Sequence, residues 1–208
     1  MSDRWITFDC YGTLLDWQSA FRRLLDPRVV EEFHHVEPEV QRELPSASYK
    51  DILRECTTRA ARRAGVEADR EALVAGWHTI EAFPDTLAAL EYLHEEGWKL
   101  GILTNCDDDL YASTLPALRV DPDLVVTAEQ VGSYKPALGH FERFEAQSKT
   151  ERANWVHAAV SWFHDMVPAH DLGLRTVWVD REDSGHDASI VTHRVTDMAG
   201  LAAIAGEL

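Results

Sequence analysis

The chain has 208 residues, 45% of them hydrophobic, and a formal net charge of -16. That length can bury a proper core, as one domain or as a domain with an insert, and the acidity argues against nucleic acid or an anionic membrane as a partner, since both repel it. Three cysteines far apart, Cys10, Cys56 and Cys106, read neither as a disulfide framework nor as a zinc site; with no signal-peptide core and no membrane-length apolar run, a reducing cytoplasm is the expected compartment.

The first element is a short strand over Trp5–Phe8 that ends abruptly at Asp9, followed by Gly12 and Thr13. Bulky β-favouring residues running into a glycine-containing turn fit a buried strand and a tight loop. In an open α/β sheet the carboxyl ends of the strands face the ligand crevice, so Asp9 is expected at the mouth of a site. Cys10 beside it reads as a small core residue, with a reactive thiol as the alternative. After Leu15 the spacing turns helical: Trp17, Phe21, Leu24 and Leu25 recur every three or four residues. Pro27 and Pro38 punctuate the next stretch. Ser46 to Ala64 is a long helical run closed by Gly65, and a further helix is expected from Asp69 to about Ile80.

No strand signal falls between Leu15 and Leu100. Phe83-Pro84-Asp85 opens a helix that runs through Leu90 and Leu93 to Gly97. Lys99–Asn105 reads as the second strand, Asp107–Leu118 as a helix with an acidic start, and Leu124–Thr127 as the third strand. Leu138–Ser148 is helical, Trp155–Ser161 is the fourth strand, Met166–Leu172 a short helix and Arg175–Val179 the fifth strand. Arg181–Ser189 is polar and loop-like, and a last helix spans about Thr196 to Ala205. Alternating strands and helices predict an α/β fold, a Rossmann-like parallel sheet covered on both faces. The helical block is far longer than a crossover needs. It is expected to be an inserted helical cap domain, residues 15–83, closing over a core made of residues 1–14 and 84–208. Trp5, Trp155 and Trp178 are expected in the core, Trp17 and Trp77 on the cap.

The stretch Phe8-Asp9-Cys10-Tyr11-Gly12-Thr13-Leu14 resembles the first motif of the haloacid dehalogenase superfamily, in which the Asp is a covalent nucleophile. Three more positions carry the resemblance across the chain: Thr104-Asn105 at the end of the second strand, Lys135 within Ser133-Tyr134-Lys135-Pro136, and Asp165 after the fourth strand. Phosphatases of that superfamily place a second Asp two residues after the nucleophile, as general acid and metal ligand. Tyr11 stands there, and Val160 stands where a further acid is usual, so the sequence is similar to the type II L-2-haloacid dehalogenase branch, which needs no metal or other cofactor.

The resemblance implies catalytic roles for Asp9, Thr13, Lys135 and Asp165, and substrate contacts from Tyr11, Thr104, Asn105 and the cap arginine, for which Arg42 is the nearest candidate. It also implies a small carboxylate as substrate and suggests a homodimer. Physically, an anionic nucleophile and an anionic substrate need a nearby cation, and Lys135 can supply it.

The chain also departs from the branch. Phe141 replaces a tyrosine, and Val160 and Trp162 replace a serine and an asparagine of the fourth motif, leaving Ser161 between them. His34, His35, His78, His157 and His164 could refill such roles, His164 first because it adjoins Asp165. Three readings therefore stand beside simple dehalogenation: opening of a strained C–N ring in a small cyclic amino acid, a Mg-dependent phosphatase, and a catalytically silent binding protein.

Overall fold

A computed structural model describes residues 3–208. Strand β1 (Arg4–Phe8) lies inside a six-stranded sheet of order β3-β2-β1-β4-β5-β6. The other strands are β2 (Trp98–Thr104), β3 (Leu124–Thr127), β4 (Trp155–Ala159), β5 (Arg175–Val179) and β6 (His193–Val195). All pairings are parallel, with Ile6 registered on Leu100 on one side and Val156 on the other. Sheets of this kind are covered on both faces, and Trp5 through Phe8 are accordingly buried without alternation. The backbone of Gly101 runs close to its neighbours: a Cβ there would stand 2.7 Å from Phe144 and 2.8 Å from Thr7.

Between β1 and β2 the chain forms a helical module: α1 (Trp17–Leu24), α2 (Pro27–Glu43), α3 (Tyr49–Ala64) and α4 (Ala72–Gly76). The largest departure from the sequence reading is α2. It runs straight through Pro38, where punctuation was expected. An interior proline costs a helix roughly 3 kcal/mol, but each buried side chain of this size is worth about 1.5–3 kcal/mol. Val29, Val30, Phe33, Val36 and Val40 are all buried, so the apolar stripe outweighs the break. That stripe packs in one continuous cluster with Ile52, Leu53, Cys56 and Ala60 of α3. Helix α3 starts at Tyr49, three residues later than expected, because the Ser48 hydroxyl caps it by accepting from Asp51 N. The expected Asp69–Ile80 helix is α4 followed by one 3-10 turn, Trp77–Thr79.

The module leaves and returns by two adjoining strands of backbone. Leu15 bridges Ala82 antiparallel, Asp16 N donates to Glu81 O at 2.8 Å, and Phe83 N donates to Leu14 O at 3.0 Å. The chain then continues through α5 (Thr86–Glu95), α6 (Asp108–Leu118), α7 (Ala128–Val131), α8 (Gly139–Ser148), α9 (Val167–Asp171) and α10 (Met198–Ala203), which accompany the sheet strands. Strand β6 was missed by the sequence reading. It is three residues long, His193-Arg194-Val195, has no apolar run, and exists by pairing with β5. Among the described residues no helix is long and apolar enough to cross a membrane.

Candidate active site

Asp9 immediately follows β1, and its backbone N–H donates to Ala158 O at 3.2 Å, the last tie to the sheet before the chain turns. The turn closes on itself: Leu14 N and Leu15 N both donate to Cys10 O, and Gly12 N donates to Leu15 O. Gly12 has φ +96°, a conformation that side chains rarely adopt, and a Cβ there would meet Trp17 Nε1 at 3.2 Å. The bend returns Thr13 onto the carboxylate it follows, its hydroxyl donating to Asp9 Oδ2 at 3.0 Å. Thr13 Oγ1 is itself held by Val160 N at 3.0 Å. The clamp on this loop comes from Arg181, whose guanidinium bonds Thr13 O at 2.9 Å and Asp85 at 3.0 and 3.2 Å and lies 4.0 Å over the Phe83 ring.

Lys135 lies between two carboxylates. Its Nζ donates to Asp9 Oδ1 at 2.9 Å, Asp165 Oδ1 at 2.6 Å and Leu103 O at 2.8 Å, which uses all three protons. Asn105 holds the lysine's backbone from both sides: its amide donates to Lys135 O at 3.1 Å and its oxygen accepts from Lys135 N at 2.7 Å. Asp165 lies within a widened turn, Trp162–Met166, in which Met166 N reaches back to Ser161 O, a π-type spacing often found at functional sites.

A buried chain of donors fixes Asp165 from behind. Trp155 Nε1 donates to Thr7 Oγ1 at 2.8 Å, Thr7 Oγ1 lies 2.8 Å from His157 Nδ1, and His157 Nε2 lies 3.0 Å from Asp165 Oδ1. Each donor of that chain finds an acceptor when Thr7 donates to Nδ1 and the imidazole proton sits on Nε2, while the second oxygen of Asp165, Oδ2, is buried without a hydrogen-bond partner among the described residues.

The three charged groups separate in character. Burial works against the charge of Lys135, but Asp165 and Asp9 outweigh it and hold the ammonium above its ordinary value. Burial also penalises Asp165, yet Lys135 and His157 hold it well below the usual carboxylate range. Asp9 moves the other way: burial, with the charge of Asp165 behind it, raises its pKa against the pull of Lys135 and Thr13. Exposure separates them again, because the Asp9 side chain is 13% accessible and that of Asp165 is 1%. Only the first can be reached by an incoming molecule.

Asp9, Lys135 and Asp165 line a cavity of about 580 Å³. The core contributes Tyr11, Asn105, Ser161, His164 and Arg181 to its wall, and the helical module contributes Trp17, Arg22, Glu37, Gln41 and Tyr49. The Tyr11 hydroxyl is engaged by Trp77 Nε1 at 2.9 Å and Thr114 Oγ1 at 2.9 Å, so the ring is what it offers the cavity. Burial lowers the His164 pKa and keeps the ring neutral near pH 7. Its Nδ1 is 3.0 Å from Ser161 Oγ, and its Nε2 has no partner among the described residues.

Two expected contacts fall elsewhere. The Thr104 hydroxyl is fully buried, lies 3.6 Å from Cys106 Sγ and does not line the cavity. Arg42, on the last turn of α2, is exposed and does not line it either. Arg22, on the amphipathic α1, is the cap arginine that does. Glu37 and Tyr49 were also missed, because only the folding of α2 against α3 turns both toward Asp9.

The family model for haloacid dehalogenase-like hydrolases matches residues 4–157. A curated relative, (S)-2-haloacid dehalogenase 4A of Burkholderia cepacia, is 26% identical over 212 residues, covering 93% of this chain and 91% of that one. Among solved structures, the L-2-haloacid dehalogenase RSc1362 superposes with a TM-score of 0.86 at 22% identity, over 99% of this chain and 100% of that one. The Xanthobacter autotrophicus L-2-haloacid dehalogenase with chloropropionic acid covalently bound does so with a TM-score of 0.86 at 16% identity, over 99% of each.

Proposed function

The chain belongs to the haloacid dehalogenase-like hydrolases, and from that premise we propose that it displaces a leaving group from C2 of a small 2-substituted carboxylic acid, with Asp9 as nucleophile. A carboxylate oxygen of Asp9 attacks the carbon, the carbon–halogen bond breaks, and the halide departs with the bonding pair. The product of this step is an ester of Asp9. Water then adds to the carboxyl carbon of Asp9; the ester C–O bond breaks, the 2-hydroxy acid leaves, and one proton is released overall. The observation that carries this reading is the lysine between unequal carboxylates: Asp165 is sealed and strongly ionised, while Asp9 is reachable and poorly solvated. A desolvated anion held by one cation is a better nucleophile than a hydrated one.

In this reading Lys135, and no divalent cation, balances the charge at the nucleophile. Tyr11 and Val160, at positions where the phosphatases carry acids, offer no carboxylate. Thr13 orients the Asp9 carboxylate, and Arg22 is the cation available for the substrate carboxylate. His164, neutral and with an unpartnered Nε2, is the group suited to take the proton from water in the second step. The helical module excludes bulk water by covering the sheet end.

Single turnover in heavy-oxygen water with 2-chloropropanoate tests the proposal. Label on Asp9 together with chloride release, unaffected by chelator, supports it. Chloride release with no label on Asp9, or chelator-sensitive hydrolysis of a phosphate ester with no dehalogenation, overturns it.

A further inference from the structure

The cavity wall contains a carboxylate that the proposed reaction does not use. Glu37 projects from α2 and is half-buried against the lining. The Tyr49 hydroxyl donates to its Oε1 at 2.7 Å and the Gln41 amide donates to the same oxygen at 3.3 Å. Both partners are neutral. Among the described residues Oε2 has no partner, and no cation is paired with the group.

The other charges of the cavity are accounted for. Lys135 is spent on Asp9 and Asp165, Arg181 on Asp85, and Asp16 caps α1 through Ser19 N. Glu182 is exposed at the rim. Glu37 and Asp16 are the half-buried anions without a cation, and of these Asp16 is compensated by the helix N-terminus it caps, whereas Glu37 has only neutral side-chain donors. The cation at the cavity without an anionic partner is Arg22, exposed and bonded among the described residues only to the neutral Gln18 at 3.3 Å. A carboxylate drawn away from water without a cation is costly, and burial indeed raises the Glu37 pKa. Aromatic rings reinforce the sign of the missing group. Tyr11 and Tyr49 both line the cavity, and both pack on Trp77, at 4.7 and 5.7 Å between centroids. A tyrosine face on a cavity wall can receive an organic cation within about 6 Å of its centroid.

We propose that Glu37 is a specificity-determining residue that takes a protonated primary amine, so that the preferred substrate is a small zwitterion, an amino-bearing 2-substituted carboxylic acid. The inference rests on the reading of Asp9 as a carbon-directed nucleophile, but the binding preference can be read without turnover. Arg22 and Glu37 then take the two ends of the molecule, and the reacting carbon lies over Asp9.

The test compares 3-amino-2-chloropropanoate with 2-chlorobutanoate, which differ by an ammonium in place of a methyl group. Calorimetric titration into Asp9→Asn, in which no ester can form, measures binding alone. The ammonium ligand is expected to bind about tenfold tighter or more, the ratio that 1.4 kcal/mol gives. Adding Glu37→Gln, which keeps an acceptor for Tyr49, is expected to abolish the preference by weakening only the ammonium ligand. Tyr49→Phe, which leaves the carboxylate charged, is expected to retain it. Equal affinity for the two ligands, or a preference that survives Glu37→Gln, overturns the inference. Chloride release by the unmodified protein is a separate arm: none from either compound, with the binding preference intact, sinks the proposed reaction and leaves the role of Glu37 standing.

Discussion

Replacing Lys135 by Met removes one cation and leaves the rest of the site in place. In the native protein its Nζ bridges Asp9 and Asp165 at 2.9 and 2.6 Å from a side chain that is 1% exposed. Without it, two buried carboxylates face each other. Removing one partner of a buried ion pair costs about 3–5 kcal/mol, and at 1.36 kcal/mol per pKa unit this is roughly 2–4 units. The proton goes to Asp9, because Asp165 keeps its bond from His157 and Asp9 is already raised by burial and by the Asp165 charge. A protonated Asp9 is no nucleophile. Turnover of Lys135→Met should fall, most steeply at the acid end, because the acid limb of its rate profile should move up by about 2 units or more.

Stability follows the same sign. A carboxyl whose folded pKa lies above its unfolded value favours the protonated form of the native state, so the variant is least perturbed at pH 5 and loses stability as pH rises through the new pKa. For a chain of this size, 3–5 kcal/mol corresponds to a drop in Tm of about 6–20 °C. Stopped-flow halide release and scanning calorimetry from pH 5 to 9 check both effects. An acid limb that stays at the wild-type pH, or a Tm loss of the same size at every pH, would refute the reasoning.

His164→Gln should leave the first step intact and slow the second, so that halide appears as a burst and a covalent Asp9 adduct accumulates; intact-mass measurement during turnover detects it, and an unchanged steady-state rate counts against a role for His164. Thr7→Val removes the hydroxyl joining Trp155 to His157 and strands two buried groups, each costing about 1–3 kcal/mol. Denaturant unfolding should register that loss, and kcat should fall while KM for the carboxylate substrate stays near its original value. Asp107, buried at the start of α6, accepts from Tyr49 N and Lys50 N at 2.8 and 3.0 Å and so caps α3 from outside the helical module. Asp107→Ala should cost about 0.5–2 kcal/mol and speed hydrogen exchange at those two amides; unchanged protection there would show that the contact does not hold the module down. The wild-type acid limb should lie above the ordinary aspartate range, because burial and the Asp165 charge raise Asp9.

The succession of the first five strands and the parallel class were legible from sequence because each depends on local pattern, whereas Asp9, Thr13, Lys135 and Asp165 were singled out together by the resemblance to a family's motifs. Apolar runs make buried strands, and a glycine and a hydroxyl after an acid make a tight turn at a strand end. Helix α2 was not legible, since a proline inside it is a local signal for a break and the apolar stripe that overrides it counts only when α3 covers it. Strand β6 was not legible either, because a three-residue polar segment becomes a strand only through the edge offered by β5. The same distinction holds within the site. The sequence alone determined that Asp9 closes the first strand and that a tight turn follows it. Only the tertiary structure decided that Arg22 and Glu37 open onto the cavity while Arg42 and Thr104 do not, and that His157 stands behind Asp165. Side-chain direction on a helix is set by what packs against it, and a hydrogen-bond chain running from β1 to β4 exists only once the two strands are adjacent.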